Sequence, residues 1–84
     1  MDTIYTMATI KIKDLQIGQS AIITGYEPGD HNYKSKLLSM GLTRNTLIKL
    51  IKVAPLGDPV EIKVRDFHLS LRKDEAGIIL LEKP

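Results

Sequence analysis

The sequence contains no cysteine and no tryptophan, and its only aromatic residues are one phenylalanine and three tyrosines among 84 residues. The absence of cysteine excludes disulfide bonds, thiol nucleophiles and cysteine-ligated metal centres. It also favours a reducing compartment, where small domains fold without disulfides. Because aromatic residues are so few, the hydrophobic core is expected to be aliphatic.

Long hydrophobic runs and an excess of charge of one sign are also missing. The longest apolar run, residues 76–81, is far shorter than the roughly 20 residues that cross a bilayer. No signal peptide is visible, so a cytoplasmic protein is expected. Twelve basic and ten acidic residues give a net charge of +2, which is small for a dedicated DNA-binding domain. The length fits one domain over 9–84, preceded by an extension over 1–8.

Hydrophobic patterning predicts a mainly β fold. Apolar residues alternate with polar ones, or form short runs, over 20–26, 47–54, 60–65, 67–72 and 78–82. Ile10 and Ile12 also alternate with lysines, a period of two. About five short strands and one helix predict a small β-barrel of SH3-like or OB-like kind, whose closure would remove exposed sheet edges.

The helix is predicted over about 32–40. Tyr33, Leu37 and Met40 recur at helical spacing and Leu38 widens that apolar stripe. Asp30 or Asn32 is expected to cap its N-terminus.

A glycine is predicted to end this helix. Gly41 suits the left-handed position after the last turn, and Leu42 is expected to pack back on Leu37 in a Schellman motif.

Catalytic and metal-binding patterns are weak. His31 and His68 are the only histidines, and both are interpreted as solvent-exposed, with a metal or proton role for His31 beside Asp30 as the alternative. The sequence has no HExxH motif and no glycine-rich phosphate loop. Its adjacent acids, Asp74 and Glu75, are interpreted as surface residues. We therefore expect no enzyme activity, no cofactor and no dedicated metal site.

Nucleic-acid binding is also disfavoured. The basic residues in 61–66 and 72–75 are interspersed with acids, which indicates a mixed solvated face instead of a phosphate-binding track. Lys34 and Lys36 form a small basic patch on the helix.

Three segments carry a more specific signal: residues 36–42 (KLLSMGL), 53–60 (VAPLGDPV) and 69–76 (LSLRKDEA). Together with an opening L-x-x-G at 15–18, their order and spacing resemble the FeoA family over about residues 10–82. Two departures stand out. Asn45 replaces a common glycine, which asparagine can mimic in a left-handed turn. Lys36 replaces a common arginine, which keeps the charge but not bidentate bonding.

The resemblance implies an SH3-like domain with a helical insertion, without catalysis of its own. It implies a role in bacterial ferrous iron transport and iron homeostasis, with FeoB, a membrane protein with a cytoplasmic GTPase domain, as partner. Membrane contact would then occur only through the partner. The family also resembles the SH3-like C-terminal domain of iron-dependent repressors, but this sequence has no helix-turn-helix ahead of the barrel.

Candidate partner-binding and structural residues follow from the matched segments. Leu56 is expected at a loop tip, either as a barrel plug or as a partner contact. The candidate partner contacts are Lys34, Lys36, Leu56, Asp58, Arg72 and Lys73. The candidate structural residues are Gly18, Met40, Gly41, Pro55, Gly57, Pro59 and Leu71.

Two other functions stay open at this point. One is a regulatory or nucleic-acid-binding barrel, and the other is direct binding of Fe²⁺ as a carrier, which the absence of cysteine disfavours. Self-association, the direction of the effect on the partner and the interacting face are not set by the sequence.

Overall fold

The computed structural model describes residues 9–28 and 31–84; the predicted extension over 1–8 and the candidate cap Asp30 lie outside them. Within these two ranges the chain forms five strands, two α-helices and a 3-10 turn. In chain order they are the 3-10 turn Ile12–Asp14, β1 Ser20–Tyr26, α1 His31–Ser39, β2 Leu47–Val53, β3 Val60–Val64, β4 Phe67–Leu71, α2 Lys73–Ala76 and β5 Ile79–Glu82.

The strands form one antiparallel sheet in the order β4-β3-β2-β1-β5. This confirms the mainly β, five-stranded SH3-like fold. Two register shifts, one in β1 between Ile23 and Gly25 and one in β2 between Leu50 and Lys52, bend the sheet. The expectation of a closed barrel was wrong for the described strands, because β4 and β5 form the two edges of the sheet and do not pair with each other.

One sheet edge is covered by the start of the domain. Ile10 donates a backbone hydrogen bond to Leu81 (2.8 Å) and accepts one from it (2.9 Å). The alternation at 10–13 therefore predicts the extended backbone only at Ile10. The next residues form the 3-10 turn, which the Asp14 carboxylate closes by accepting from the Lys11 N–H at 2.9 Å.

The core is aliphatic, as predicted. Its buried side chains come from every strand, from α1 and α2 and from the 3-10 turn. They are Ile12, Leu15, Ala21, Ile23, Leu37, Leu42, Ile48, Leu50, Val60, Ile62, Val64, Leu71, Ala76, Ile79 and Leu81. No helix in the described part of the chain is long and apolar enough to cross a membrane.

Helix α1 begins at His31, one residue earlier than predicted, so Asn32 lies inside the helix and does not precede it as a cap. Leu37 is fully buried and Tyr33 is half-buried, in agreement with the predicted apolar stripe. Leu38 does not widen that stripe, since it is 39% exposed.

The predicted helix end is confirmed. Gly41 has φ +90°, a conformation that costs glycine little. Leu42 donates to the Leu37 carbonyl at 3.1 Å and Gly41 donates to the Leu38 carbonyl at 3.0 Å, the two hydrogen bonds of a Schellman motif. This turn carries the chain from α1 into the core at Leu42.

Candidate interaction surface

The three segments singled out in the sequence meet at α2, although they lie far apart in the chain. Lys36 of α1 places its Nζ 2.5 Å from Glu75 Oε2. The other carboxylate oxygen, Oε1, accepts a hydrogen bond from the Arg72 backbone N–H at 2.9 Å. Asp58, from the loop between β2 and β3, accepts from the Lys73 backbone N–H at 3.0 Å. We call this set of contacts the α2 junction.

Glu75 is the centre of the α2 junction. Its side chain is 4% exposed, whereas that of Lys36 is 57% exposed. The hydrogen bond from Lys36 lowers the pKa of Glu75 below its ordinary value, and the bond from Arg72 acts in the same direction against the opposing effect of burial. Glu75 is thus a buried, ionised side chain that receives donors from both sides, and not the surface acid that the sequence indicated.

Asp58 and Glu75 both satisfy backbone donors at the start of α2. The first N–H groups of a helix have no partner inside the helix, and a side-chain oxygen that accepts from them stabilises it. A four-residue helix has few internal hydrogen bonds, so these two carboxylates hold it in place. This gives Asp58 a structural role beside its predicted role as a partner contact.

The loop from Ala54 to Pro59 presents an apolar side chain to solvent. Gly57 donates to the Ala54 carbonyl at 2.7 Å and adopts φ +84°, while Ala54 donates to the Pro59 carbonyl at 3.0 Å. Leu56 lies at the tip and is 92% exposed. Of its two predicted roles, the barrel plug was therefore wrong, because the tight turn points Leu56 away from the core; the partner contact stays a prediction.

A groove of about 710 Å³ lies beside the α2 junction. Its floor is apolar and comes from the inner side of β2 and β3, from α2 and from the 3-10 turn. Apolar lining residues are Leu15, Leu50, Val53, Val60, Ala76 and Ile78. Charged residues lie on its rim, namely Lys11, Lys13, Lys73 and Asp74, and Lys11 is paired with Glu27 at 2.5 Å.

The predicted partner contacts occupy different positions around this groove. Lys73 lines it, and Gly57 of the Leu56 loop lines it as well. Lys34 is exposed on α1, whereas the ammonium group of Lys36 is engaged by Glu75. The Arg72 side chain is exposed while its backbone N–H is bound.

Sequence reasoning missed most of the groove floor. Leu15 and Ile78 come from turns at opposite ends of the chain, and their meeting depends on the tertiary fold. Tyr33 was assigned to the apolar stripe of α1 and also lines the groove. The sequence signal for this surface was the segment 53–60, whose match to the family pattern drew attention to Leu56 at a loop tip.

The histidines and acids form no metal-binding group in the described part of the chain: no three of them lie close enough to share an ion. His68 is exposed on β4, as expected, and its Nδ1 lies 3.1 Å from Glu61 Oε2. The alternative role of His31 with Asp30 concerns a side chain and a residue outside the described structure.

Residues 10–83 match the sequence model of the family described as "FeoA domain". The chain belongs to the FeoA family. A curated relative from Porphyromonas gingivalis, an Fe(2+) transport protein A/Fe(2+) transporter FeoB fusion protein, is 32% identical over 87% of this chain. The FeoA chain spans only 8% of that relative's length. The match links the domain to ferrous iron transport.

Solved structures agree with this assignment. The FeoA-like protein from Clostridium acetobutylicum is 34% identical, with a TM-score of 0.81 over 90% of this chain and 87% of that chain. A manganese-dependent transcriptional repressor reaches a TM-score of 0.83 over 90% of this chain and 42% of that chain, at 9% identity. At that identity the likeness concerns the fold alone, and it confirms that FeoA and repressor domains share an SH3-like architecture.

Proposed function

We propose that this FeoA domain is a non-enzymatic accessory of ferrous iron uptake that binds an FeoB-type transporter on its cytoplasmic side. The observation that carries the proposal is the fusion relative, in which a domain 32% identical to this chain is part of the same polypeptide as an Fe(2+) transporter FeoB. Joining two domains in one chain keeps them at a high effective concentration, which suits domains that contact each other. We infer that the same contact is made when the FeoA domain and the transporter are separate chains.

The groove beside the α2 junction is the surface that we assign to this contact. Its floor is apolar, and three of its four charged rim residues are lysines. An apolar segment with acidic flanking residues, supplied by the cytoplasmic GTPase domain of the transporter, would bury its side chains on the floor and place its carboxylates near the rim. Leu56, exposed at the end of the neighbouring loop, would add an apolar contact.

The mechanism that we propose is modulation of the partner. If the domain binds one conformation of the GTPase or of the transport gate more tightly, it shifts the equilibrium toward that conformation by the ratio of the two affinities. No reaction on the FeoA domain is required.

Binding is tested with purified transporter and with its isolated GTPase domain, by titration against the labelled chain. Leu56→Asp is the informative variant, because a side chain that is 92% exposed contributes almost nothing to folding. The matched control is Ile17→Asp, which changes another exposed aliphatic side chain (65%) that lines neither this groove nor the pocket on the outer side of the sheet. We expect Leu56→Asp to weaken binding at least tenfold and Ile17→Asp to leave it within about twofold.

Two results would contradict the proposal. The first is no binding of the unmodified chain to the whole transporter in membranes. The second, equal loss of affinity in both variants, would place the contact elsewhere and remove the groove from the proposal.

A further inference from the structure

Three cations lie together on the outer side of β2 and β3, away from the groove. Lys49 and Lys63 are directly opposite each other in the β2–β3 register, and both are exposed. Like charges in this arrangement destabilise a sheet, because side chains opposite each other on one face lie about 5 Å apart at their Cβ atoms. Neither lysine forms an ion pair within residues 9–28 and 31–84.

The third cation, Arg65, has an unfavourable backbone conformation. Arg65 has φ +55° in the two-residue connection between Val64 and Phe67. Glycine or asparagine is the usual residue for a left-handed position in such hairpins, and arginine is disfavoured there. A disfavoured conformation that the fold retains is a reason to look for a function.

Lys49, Lys63 and Arg65 line one pocket of about 470 Å³. The remaining lining residues are uncharged: they include Ser20, Asn45 and the exposed Leu47, and no carboxylate. Of the nearby acids, Glu61 is paired with His68 (3.1 Å) and Asp66 follows Arg65 in the turn. We call this surface the basic face.

We propose that the basic face binds the phosphate headgroups of an anionic membrane surface. Lysine and arginine side chains bind phosphate oxygens directly, and an anionic bilayer would relieve the repulsion between Lys49 and Lys63. Leu47, 52% exposed beside the cations, can enter the headgroup region. The choice of a membrane rests on the proposed function, since a transporter partner would hold the domain close to the bilayer.

The expected affinity is low for the isolated domain. Each basic residue near an anionic leaflet increases binding by about fivefold, so three residues contribute about a hundredfold. Such a contact serves to orient a domain that its partner already holds at the membrane. Because the groove lies on the inner side of the same strands, it would face away from the bilayer and stay open to the transporter's cytoplasmic domain.

The test is co-sedimentation of the full chain with vesicles at low ionic strength. One set is phosphatidylcholine alone and the other contains about one third phosphatidylglycerol. We expect binding only to the second set, weakening as salt is added. Lys49→Gln/Lys63→Gln should reduce binding by about 25-fold. The control Lys34→Gln/Lys83→Gln removes the same charge from exposed positions elsewhere and should reduce it by less than about threefold.

Three outcomes would overturn the proposal. The first is no binding of the unmodified chain to the anionic vesicles, and the second is an equal loss of vesicle affinity in the two double variants. The third is saturable binding of inorganic phosphate or polyglutamate at the basic face with a higher affinity than that for the anionic vesicles. Thermal unfolding of each variant checks the fold, and removal of the opposed lysines should not lower the midpoint. The vesicles contain no transporter, so their failure to bind leaves the proposed function intact. Conversely, Leu56→Asp should lose transporter binding and keep its vesicle binding, because Leu56 lies outside the basic face.

Discussion

The α2 junction and the basic face use charge in opposite ways. At the α2 junction, Glu75 and Asp58 accept hydrogen bonds from the backbone, and Glu75 also pairs with Lys36. On the basic face, Lys49 and Lys63 oppose each other without a compensating acid in the described residues. The charges at the α2 junction stabilise the fold, because they are paired with partners inside the domain. The second set costs stability and is available to a ligand outside it.

This difference bears on how the matched segments are interpreted. Residues in segments that match a family pattern are readily interpreted as partner contacts, and the sequence analysis predicts Lys36 and Asp58 as such contacts. Their contacts give them a structural role that explains their presence without a partner. Within the segments, the exposed side chains of Leu56 and Lys73 remain available for recognition, and outside them the cations of the basic face do.

The largest effect is expected at Glu75. Glu75→Ala removes the acceptor of the Arg72 N–H and the partner of Lys36 from a buried position, so the free energy of unfolding should fall by about 2–3 kcal/mol. Urea denaturation measures this. Asp74→Ala, at the exposed neighbouring position, should change stability by less than about 0.5 kcal/mol. Equal losses in the two variants would remove the distinction between the junction and an ordinary surface.

The same carboxylate should make stability depend on pH. Its pKa is lowered in the folded state from an ordinary value of 4.5, so the unfolded chain takes up the proton first as pH falls. The stabilisation is complete above pH 4.5 and is lost progressively below it, through the folded pKa. Urea midpoints for the unmodified chain and for Glu75→Gln should therefore converge in acid. Parallel curves would mean that Glu75 contributes no charge-dependent stability.

Asp58 should have a smaller effect. Asp58→Ala leaves the first N–H of α2 without its acceptor, and loss of such a cap costs about 1 kcal/mol. Asp58→Asn keeps an acceptor oxygen and should lose only a few tenths of that amount. Chemical denaturation of the pair separates the cap from the charge, and an asparagine variant as unstable as the alanine variant would contradict the cap.

The smallest effect has the opposite sign. Lys49→Glu places a carboxylate opposite Lys63 and should raise stability by about 0.5 kcal/mol. Its matched control is Lys52→Glu, since Lys52 is opposite Glu61 in the same pair of strands, and this change should lower stability by a similar amount. Both differences should shrink in high salt. A loss of stability in Lys49→Glu would show that the opposed lysines are compensated within the fold.

The sequence predicted the features that depend on neighbouring residues. Gly41 and Leu42 end α1 as expected, because a Schellman motif is a local arrangement of hydrogen bonds. The turn around Gly57 also follows from its own residues. The exposed position of Leu56 did not follow, since hydrophobicity favours burial and only the geometry of the turn shows that the core is out of reach.

Features that depend on register could not be predicted in this way. Along β3, Glu61 and Lys63 alternate and suggest a mixed surface. Across the sheet, the bulge in β2 brings Lys49 opposite Lys63, and this converts alternating charges into a cluster. Lys36 and Glu75 are 39 positions apart in the sequence, and their ion pair depends on how α1 and α2 pack together. No local sequence pattern indicates that packing.

The hydrogen bonds between Ile10 and Leu81 have a consequence for how the domain is built into larger proteins. They bring Ile10, near the start of the described residues, beside Leu81 of the last strand at the β5 edge of the sheet. A polypeptide that continues from either segment therefore leaves from one place, while the β4 edge lies at the far end of the sheet. The domain can be appended to or inserted in a longer chain through a single attachment point, which lies at the β5 edge and next to the part of the groove that Lys11 and Ile12 line.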